Sequence, residues 1–374
     1  MTDFATSEFE ERRARAQAAM GAAGLDALLL NTEAEVRYFT GFRSLFWQSP
    51  TRPWFVIVPQ SGEVTAVIPS IGAELMGRMW VNDIRTWPSP RGTDEGVSLL
   101  IEALAGFDRI GVPMGEEASL RMSLTDFRDV EARISGRFED CSNLIKGLRT
   151  VKSPAEIAIL RQICAIGSNA FARISDAARV GDPLAEVFRK FKITLLEEGA
   201  EEVPYLVGGA GQGGYGDVIS PPDQTPLQDG DVLMLDTGST LQGYFCDFDR
   251  NFAIGRALPE AVDAHHRLWD VTEAGFEAAR AGVSCSELFA IMAKGLGEGS
   301  DVGRIGHGLG MQLTEWPSIA AHDHTVLQAG MVMTLEPSLM IDDNRMMVVE
   351  ENILITDGAP EMLTTRVKRD IEVI

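Results

Sequence analysis

Residues Asp229 to Phe252 read Asp-Gly-Asp-Val-Leu-Met-Leu-Asp-Thr-Gly-Ser-Thr-Leu-Gln-Gly-Tyr-Phe-Cys-Asp-Phe-Asp-Arg-Asn-Phe. Val232 to Leu235 form a short apolar run closed by Asp236, and a Gly/Ser/Thr turn is expected next. Beyond it, Tyr244, Cys246 and Phe248 alternate with Phe245, Asp247 and Asp249. This pattern predicts two strands meeting at a hairpin. An acid at the end of a buried strand is costly unless something neutralises it. Side chains two apart on a strand share a face, so Asp247 and Asp249 are expected to point the same way. Converging carboxylates repel one another, and a cation resolves the conflict.

The chain has 374 residues, which predicts about two domains. Its hydrophobic content of 45% is enough for two cores. With 33 basic and 55 acidic residues the net charge is -22, which excludes nucleic acid and anionic membranes as partners. Cys141, Cys164, Cys246 and Cys285 show no paired-ligand spacing and read as free thiols. The N-terminal segment reads as a charged helix and not as an apolar signal region, so the cytoplasm is the expected compartment.

From Ser7, whose spacing to Glu10 fits a capping box, a helix is expected to about Gly24. Short apolar strands follow at 26–30, 54–58, 64–68 and 109–112, separated by helical patterns near 72–80, 96–104 and 116–130. That alternation predicts an α/β domain over residues 1–145. Ser153-Pro154-Ala155-Glu156 is a second helix start, and it opens a second domain over 150–374. Helices are expected at about 154–178, 183–198, 260–281 and 284–296. Gly209-Ala-Gly211-Gln-Gly213-Gly214 has the glycine spacing of a dinucleotide fingerprint, but Asp217 to Asp223 cannot open the required helix. It reads instead as a flexible, pocket-lining loop.

Three further positions join the aspartates. His307 lies in Gly306-His307-Gly308-Leu309-Gly310, whose glycines let backbone and ligand approach the imidazole. Glu336 ends the apolar run Met331 to Leu335 and precedes Pro337, and Glu350 lies in an apolar strand, with Glu351 facing away. His265 and His266, by contrast, read as packed or surface residues. Four carboxylates and one imidazole make a hard, oxygen-rich set suited to two divalent ions, with manganese first and cobalt, iron or zinc as alternatives.

These residues resemble those of the pita-bread metallopeptidases, the group of prolidase, aminopeptidase P, methionine aminopeptidase and creatinase. Asp236 and Asp247, with ten intervening residues, match that family's Asp pair. His307 matches its Gly-His-Gly histidine, and Glu336 and Glu350 match its two glutamates. Leu148-Arg149, Lys152-Ser153-Pro154 and Val36-Arg37-Tyr38 with Thr40-Gly41 extend the likeness over nearly the whole chain. The resemblance implies an α/β N-terminal creatinase-like domain and an α+β pita-bread catalytic domain. It also implies a homodimer and a metal set of Asp236, Asp247, His307, Glu336 and Glu350. Asp236 would hold one ion, His307 and Glu336 the other, with Asp247 and Glu350 shared and Glu336 passing the proton.

Several positions depart from that family. Asp249 stands where a threonine is usual and is read as a further ligand or a supporting acid. Ile219, Thr314 and Val348 stand where the peptidases have two histidines and an arginine. Arg345, His322 or His324 could fill in. Trp316, with Trp47 and Trp54, could form an aromatic wall for a compact cationic group, against the plainer reading as packing. Thr314, Trp316, Asp249 and Arg345 are therefore the candidate substrate-contacting residues. The expected activity is metal-dependent hydrolysis of an amide in an Xaa-Pro peptide or a small molecule. An ectoine-type hydrolase or a dimethylsulfoniopropionate-type lyase is the alternative.

Overall fold

The computed structural model describes residues 4–49, 52–297 and 303–374. The chain divides into two compact units, Met1–Arg149 and Thr150–Ile374.

In chain order the first unit comprises α1 (Thr6–Ala23), β1 (Ala27–Leu30), α2 (Glu33–Thr40), β2 (Phe55–Pro59), β3 (Thr65–Pro69) and α3 (Ala73–Met76). It continues with β4 (Asp83–Trp87), α4 (Val97–Leu104), β5 (Arg109–Val112), α5 (Leu124–Arg133), β6 (Arg137–Asp140) and α6 (Ser142–Thr150). The six-stranded sheet has the order β4-β3-β2-β1-β5-β6. Leu29, Phe55, Ile57, Val67, Leu100 and Ile110 meet in its core. Ser7 lies within α1 and not at its cap, since the helix already begins at Thr6 with Ala5 before it. The edge strands β4 and β6 are mostly polar, so their sequences give no apolar signal. The helix expected from 116 opens only at Leu124, where the Ser123 hydroxyl accepts the Asp126 N–H.

The second unit begins with α7 (Pro154–Ala172), α8 (Leu184–Glu197), β7 (Glu202–Gln212), β8 (Asp231–Leu241), β9 (Tyr244–Phe245) and β10 (Phe248–Ala253). Then come α9 (Pro259–Ala278), α10 (Cys285–Leu296), β11 (His307–Gly308), β12 (Glu315–Ser318), β13 (Val332–Leu335) and β14 (Ser338–Met340). The last strands are β15 (Met346–Val348), β16 (Glu351–Leu354), β17 (Glu361–Met362) and β18 (Glu372–Val373). One sheet has the order β18-β10-β8-β7 with β9 on β8, another the order β12-β11-β13-β16-β17. Ser153 and Glu156 form the expected capping box at α7. The second oxygen of Glu156 accepts from the Tyr244 hydroxyl at 2.9 Å, tying that helix start to the hairpin.

Three stretches fold differently from what their sequence pattern predicts. Asp236 does not end its strand: β8 runs on through Thr237-Gly238-Ser239-Thr240 to Leu241. The reversal falls on Gln242 and Gly243, with φ of 47° and 64°, the left-handed pair a two-residue hairpin turn requires. Polar as it is, the 237–240 segment can be buried because β7 pairs along one side, β10 at Thr237 and β9 at Thr240 pair on the other, and the Thr237 and Ser239 hydroxyls bond each other at 3.0 Å. Glycines 209 and 211 belong to β7, hydrogen-bonded to β8 as far as Asp231, and not to a flexible loop. Glu350 sits in the break between β15 and β16, not inside a continuous strand.

Candidate metal centre

Two backbone irregularities present the acids. Asp247 lies in the gap between β9 and β10, where no strand partner takes its peptide groups. Asn352 on β16 replaces that partner. Its Oδ1 accepts the Asp247 N–H at 3.0 Å, and its Nδ2 donates to the Asp247 carbonyl. Glu350 lies in the other gap, and Arg250 of β10 donates to its carbonyl at 2.8 Å. Each break is thus held by a buried side chain from the other's strand. Arg250 also donates to the Asp249 and Thr365 carbonyls and to Glu351 Oε2 at 2.8 Å. Glu351, fully buried, is paired there and not solvated.

His307 is presented by β11. Its flanking glycines answer to strand packing: a Cβ on Gly306 would meet the Thr334 carbonyl at 2.3 Å, and one on Gly308 the Trp316 carbonyl at 2.4 Å. The imidazole Nδ1 lies 2.9 Å from the Gly308 carbonyl, so Nδ1 carries the proton and Nε2 the lone pair. That Nε2 faces Asp247 Oδ2 at 3.4 Å and Glu336 Oε1 at 3.6 Å. One donor atom each from Asp247, His307 and Glu350 falls within a span of 4.8 Å, and all three residues are buried.

Asp236 and Asp249 are direct cross-strand partners on β8 and β10, so both carboxylates project to one face. Glu336 follows β13, with Arg304 Nε 3.5 Å from its Oε1. Burial is the main cause of every shift in this group. It pushes Asp236 and Glu336 up to about 7, with repulsion from Glu336 adding to the effect on Asp236. Asp247, Asp249 and Glu350 are driven well above the ordinary carboxylate range by burial, then by neighbouring carboxylates, Asp236 first for Asp247 and Asp249 and Asp247 first for Glu350. Burial lowers His307 to about 4, which keeps the imidazole neutral and able to act as a ligand.

The donor set fits divalent ions. Asp236 Oδ1, Asp249 Oδ1, Glu336 Oε1 and Glu350 Oε1 are all buried without a hydrogen-bond partner. Four such oxygens beside a neutral imidazole would be strongly destabilising by themselves, and cations relieve the cost.

The other sequence candidates lie elsewhere or at the margin. Thr314 is exposed and Trp316 half-buried on or just before β12. Arg345 lies beyond β14, bonded to Asp342 at 2.8 Å, Glu260 at 3.1 Å and the Gln212 carbonyl at 2.8 Å. His324 spends Nδ1 on the Ser286 hydroxyl at 3.0 Å, and His322 is exposed. Trp54 is a core residue of the first unit, and the buried Trp47 packs on it at 5.9 Å, so neither is free to serve as an exposed aromatic wall. Two residues escaped sequence reasoning. Tyr205 on β7 lies beside the group, and burial, then the charges of Asp236, Asp247 and Glu350, raise its hydroxyl pKa. Arg304 counters the charge on Glu336. The alternation through Tyr205 was the available signal for the first, whereas Arg304 is brought in by a loop with no periodicity.

The metallopeptidase family M24 profile matches residues 158–357, and the creatinase/prolidase N-terminal domain profile matches residues 12–151. An Xaa-Pro dipeptidase of Pyrococcus horikoshii is 25% identical over 348 residues, 91% of this chain and 93% of its own length. The probable dipeptidase PepE of Mycobacterium tuberculosis is 26% identical over 373 residues, covering 95% and 94%. Dipeptidase PepE from Mycobacterium ulcerans superposes with a TM-score of 0.86 at 24% identity, over 99% of both chains. The prolidase from Pyrococcus horikoshii gives 0.83 at 22% identity, over 96% of this chain and 100% of that one. At those identities the structural likeness speaks for the fold.

Proposed function

The chain belongs to metallopeptidase family M24, and from that premise we propose that it hydrolyses the amide bond of an Xaa-Pro dipeptide or short Xaa-Pro peptide with two divalent ions. The observation that carries this reading is the convergence of Asp247, His307 and Glu350, in a group with four buried carboxylate oxygens that have no hydrogen-bond partner. The dipeptidase names of relatives matching over nine-tenths of the chain favour a peptide over an ectoine-type or onium substrate.

In this proposal Asp236, Asp247, His307, Glu336 and Glu350 hold the ions. When bound, the ions supply positive charge that polarises the scissile carbonyl and acidifies a water. Glu336, at the rim of the group with a side chain 24% exposed, takes the proton of that water and passes it to the leaving nitrogen. His307 stays neutral because Nδ1–H is committed to the Gly308 carbonyl, leaving Nε2 to the metal. Arg304 limits the charge on Glu336. Trp316 and Thr314 line the approach beside the histidine strand, and Asp249 lies within the buried group, while Arg345 has a structural role at its turn. Manganese is the native metal in this reading, on the hardness of the donors. The protein works as a homodimer in the cytoplasm. The four buried free thiols suit that compartment, and among the described residues no helix is long and apolar enough to cross a membrane.

The test is a turnover screen of manganese-, cobalt-, iron- and zinc-loaded protein on Xaa-Pro dipeptides, longer Xaa-Pro peptides, ectoine-type amides and onium compounds, with Asp247→Ala as blank. Metal-dependent release of amino acids from the peptides supports the proposal. Silence on peptides with turnover of a small solute overturns it.

A further inference from the structure

We propose that Asp249 is an additional ligand to the ion held by Asp236, so that this centre carries a fifth carboxylate. The inference rests on the dinuclear reading above and adds a residue to it.

Asp249 is 2% exposed and lies directly across the β8–β10 pair from Asp236. Cross-strand partners of this kind have Cβ atoms about 4.5–5.5 Å apart, a separation one cation can bridge. The two oxygens of Asp249 differ sharply. Oδ2 accepts from Asn251 Nδ2 at 2.9 Å, and that amide also donates to the Val348 carbonyl at 2.6 Å. Oδ1 has no hydrogen-bond partner, and neither does Oδ1 of Asp236. If Asp249 were a neutral acid, its O–H would need an acceptor, yet the partner present is an amide donor.

A protein cation does not fill the role. Arg250, the adjacent residue, spends its terminal nitrogens on the Asp249, Glu350 and Thr365 carbonyls and on Glu351. Asn251 has the geometry of a support for a ligand: it fixes one oxygen of Asp249 and leaves the other directed at the face shared with Asp236. A metal-bound carboxylate held in this way by a neighbouring donor is a common outer-shell arrangement. A fifth carboxylate makes the site more negative, which tightens divalent cation binding and weakens the acidifying pull of the ions on water.

The experiment is calorimetric titration of chelator-stripped full-length protein with manganese(II) chloride, comparing wild type, Asp249→Asn and Asp249→Ala. Thermal melts of the stripped and loaded forms accompany it. Asp249→Asn keeps an acceptor for Asn251 and removes the charge. The expected result is a loss of at least about tenfold in affinity for one of the two ions, a stripped form that melts higher than wild type, and a smaller gain on loading. A residue with only a structural role would lower both melting temperatures together. Two ions bound with wild-type affinity by Asp249→Asn and Asp249→Ala would overturn this inference and leave the dinuclear reading intact. A wild-type protein that binds no divalent ion would overturn both.

Discussion

Replacing Glu351 by glutamine should cost the C-terminal unit about 3–5 kcal/mol, the usual loss when one member of a buried ion pair is removed. The Glu351 side chain is fully buried. One of its oxygens accepts from Arg250 Nη2 at 2.8 Å and from the Thr364 hydroxyl, the other from the Val367 N–H at 2.9 Å. Arg250 and the Val367 N–H can only donate, and the Thr364 hydroxyl alone could turn to accept. Whichever way a glutamine amide is turned, its NH2 group faces one of those obligate donors, and Arg250 keeps a buried charge without its counter-ion. One lost charge-assisted hydrogen bond is worth about 1.5–3 kcal/mol, and the unpaired guanidinium adds the remainder. Because Arg250 also holds the Glu350 carbonyl, weaker metal binding should accompany the loss. The assay is urea denaturation of Glu351→Gln against wild type, both metal-free, with the transition of the C-terminal unit followed separately. The double variant Arg250→Met/Glu351→Leu should lose less than either single substitution, since apolar replacement of a whole pair is often tolerated. A loss below about 1 kcal/mol, typical of an exposed pair, would refute the reasoning.

Asn352→Leu should leave the Asp247 N–H and carbonyl without partners, at about 1–3 kcal/mol for each. Manganese titration should show the weakened site directly. Lys152 and Glu315 form a buried pair at 3.2 Å beside the β11–β12 hairpin, so Lys152→Met should destabilise the protein strongly while Lys152→Met/Glu315→Leu recovers part of the loss in the same melt. Stability of the metal-free protein should fall with rising pH. Asp236 and Glu336 have folded pKa values near 7 against about 4 when unfolded, so the folded chain binds more protons across that interval. The penalty is absent below about pH 4 and complete above about pH 7, and the melting-temperature gain from manganese should therefore be larger at pH 8 than at pH 5. Trp316→Ala should raise KM about tenfold, the equivalent of 1.4 kcal/mol, with kcat little changed. Unchanged steady-state parameters would remove Trp316 from the substrate path.

The acids were legible because each breaks a rule of strand composition. Asp236 interrupts an apolar run, and Glu336 closes another. The extent of β8 was not legible, because Thr237 to Thr240 have turn chemistry that is overridden only when strands on both sides bury and satisfy it. The two backbone breaks were hidden for a related reason. Asp247 and Glu350 leave their ladders because Asn352 and Arg250 replace the missing pairing, and those residues lie 105 and 100 positions away in sequence. In the first unit, Trp54 looked available as an aromatic surface, but a Cβ on Gly72 would clash with its ring at 2.2 Å, a sign of how tightly it is packed. Sequence showed which side chains were expensive; the structure shows which neighbours make them tolerable.

In the proposed function the buried acids and His307 hold ions that the reaction requires. The most direct test is to strip the protein with chelator, add manganese back stepwise, and record proline release from an Xaa-Pro dipeptide against ions bound per chain. The stripped protein should release no proline, and the rate should climb to a plateau at two bound ions. Release that survives full chelation, or its absence from protein carrying two ions, would contradict the proposed function.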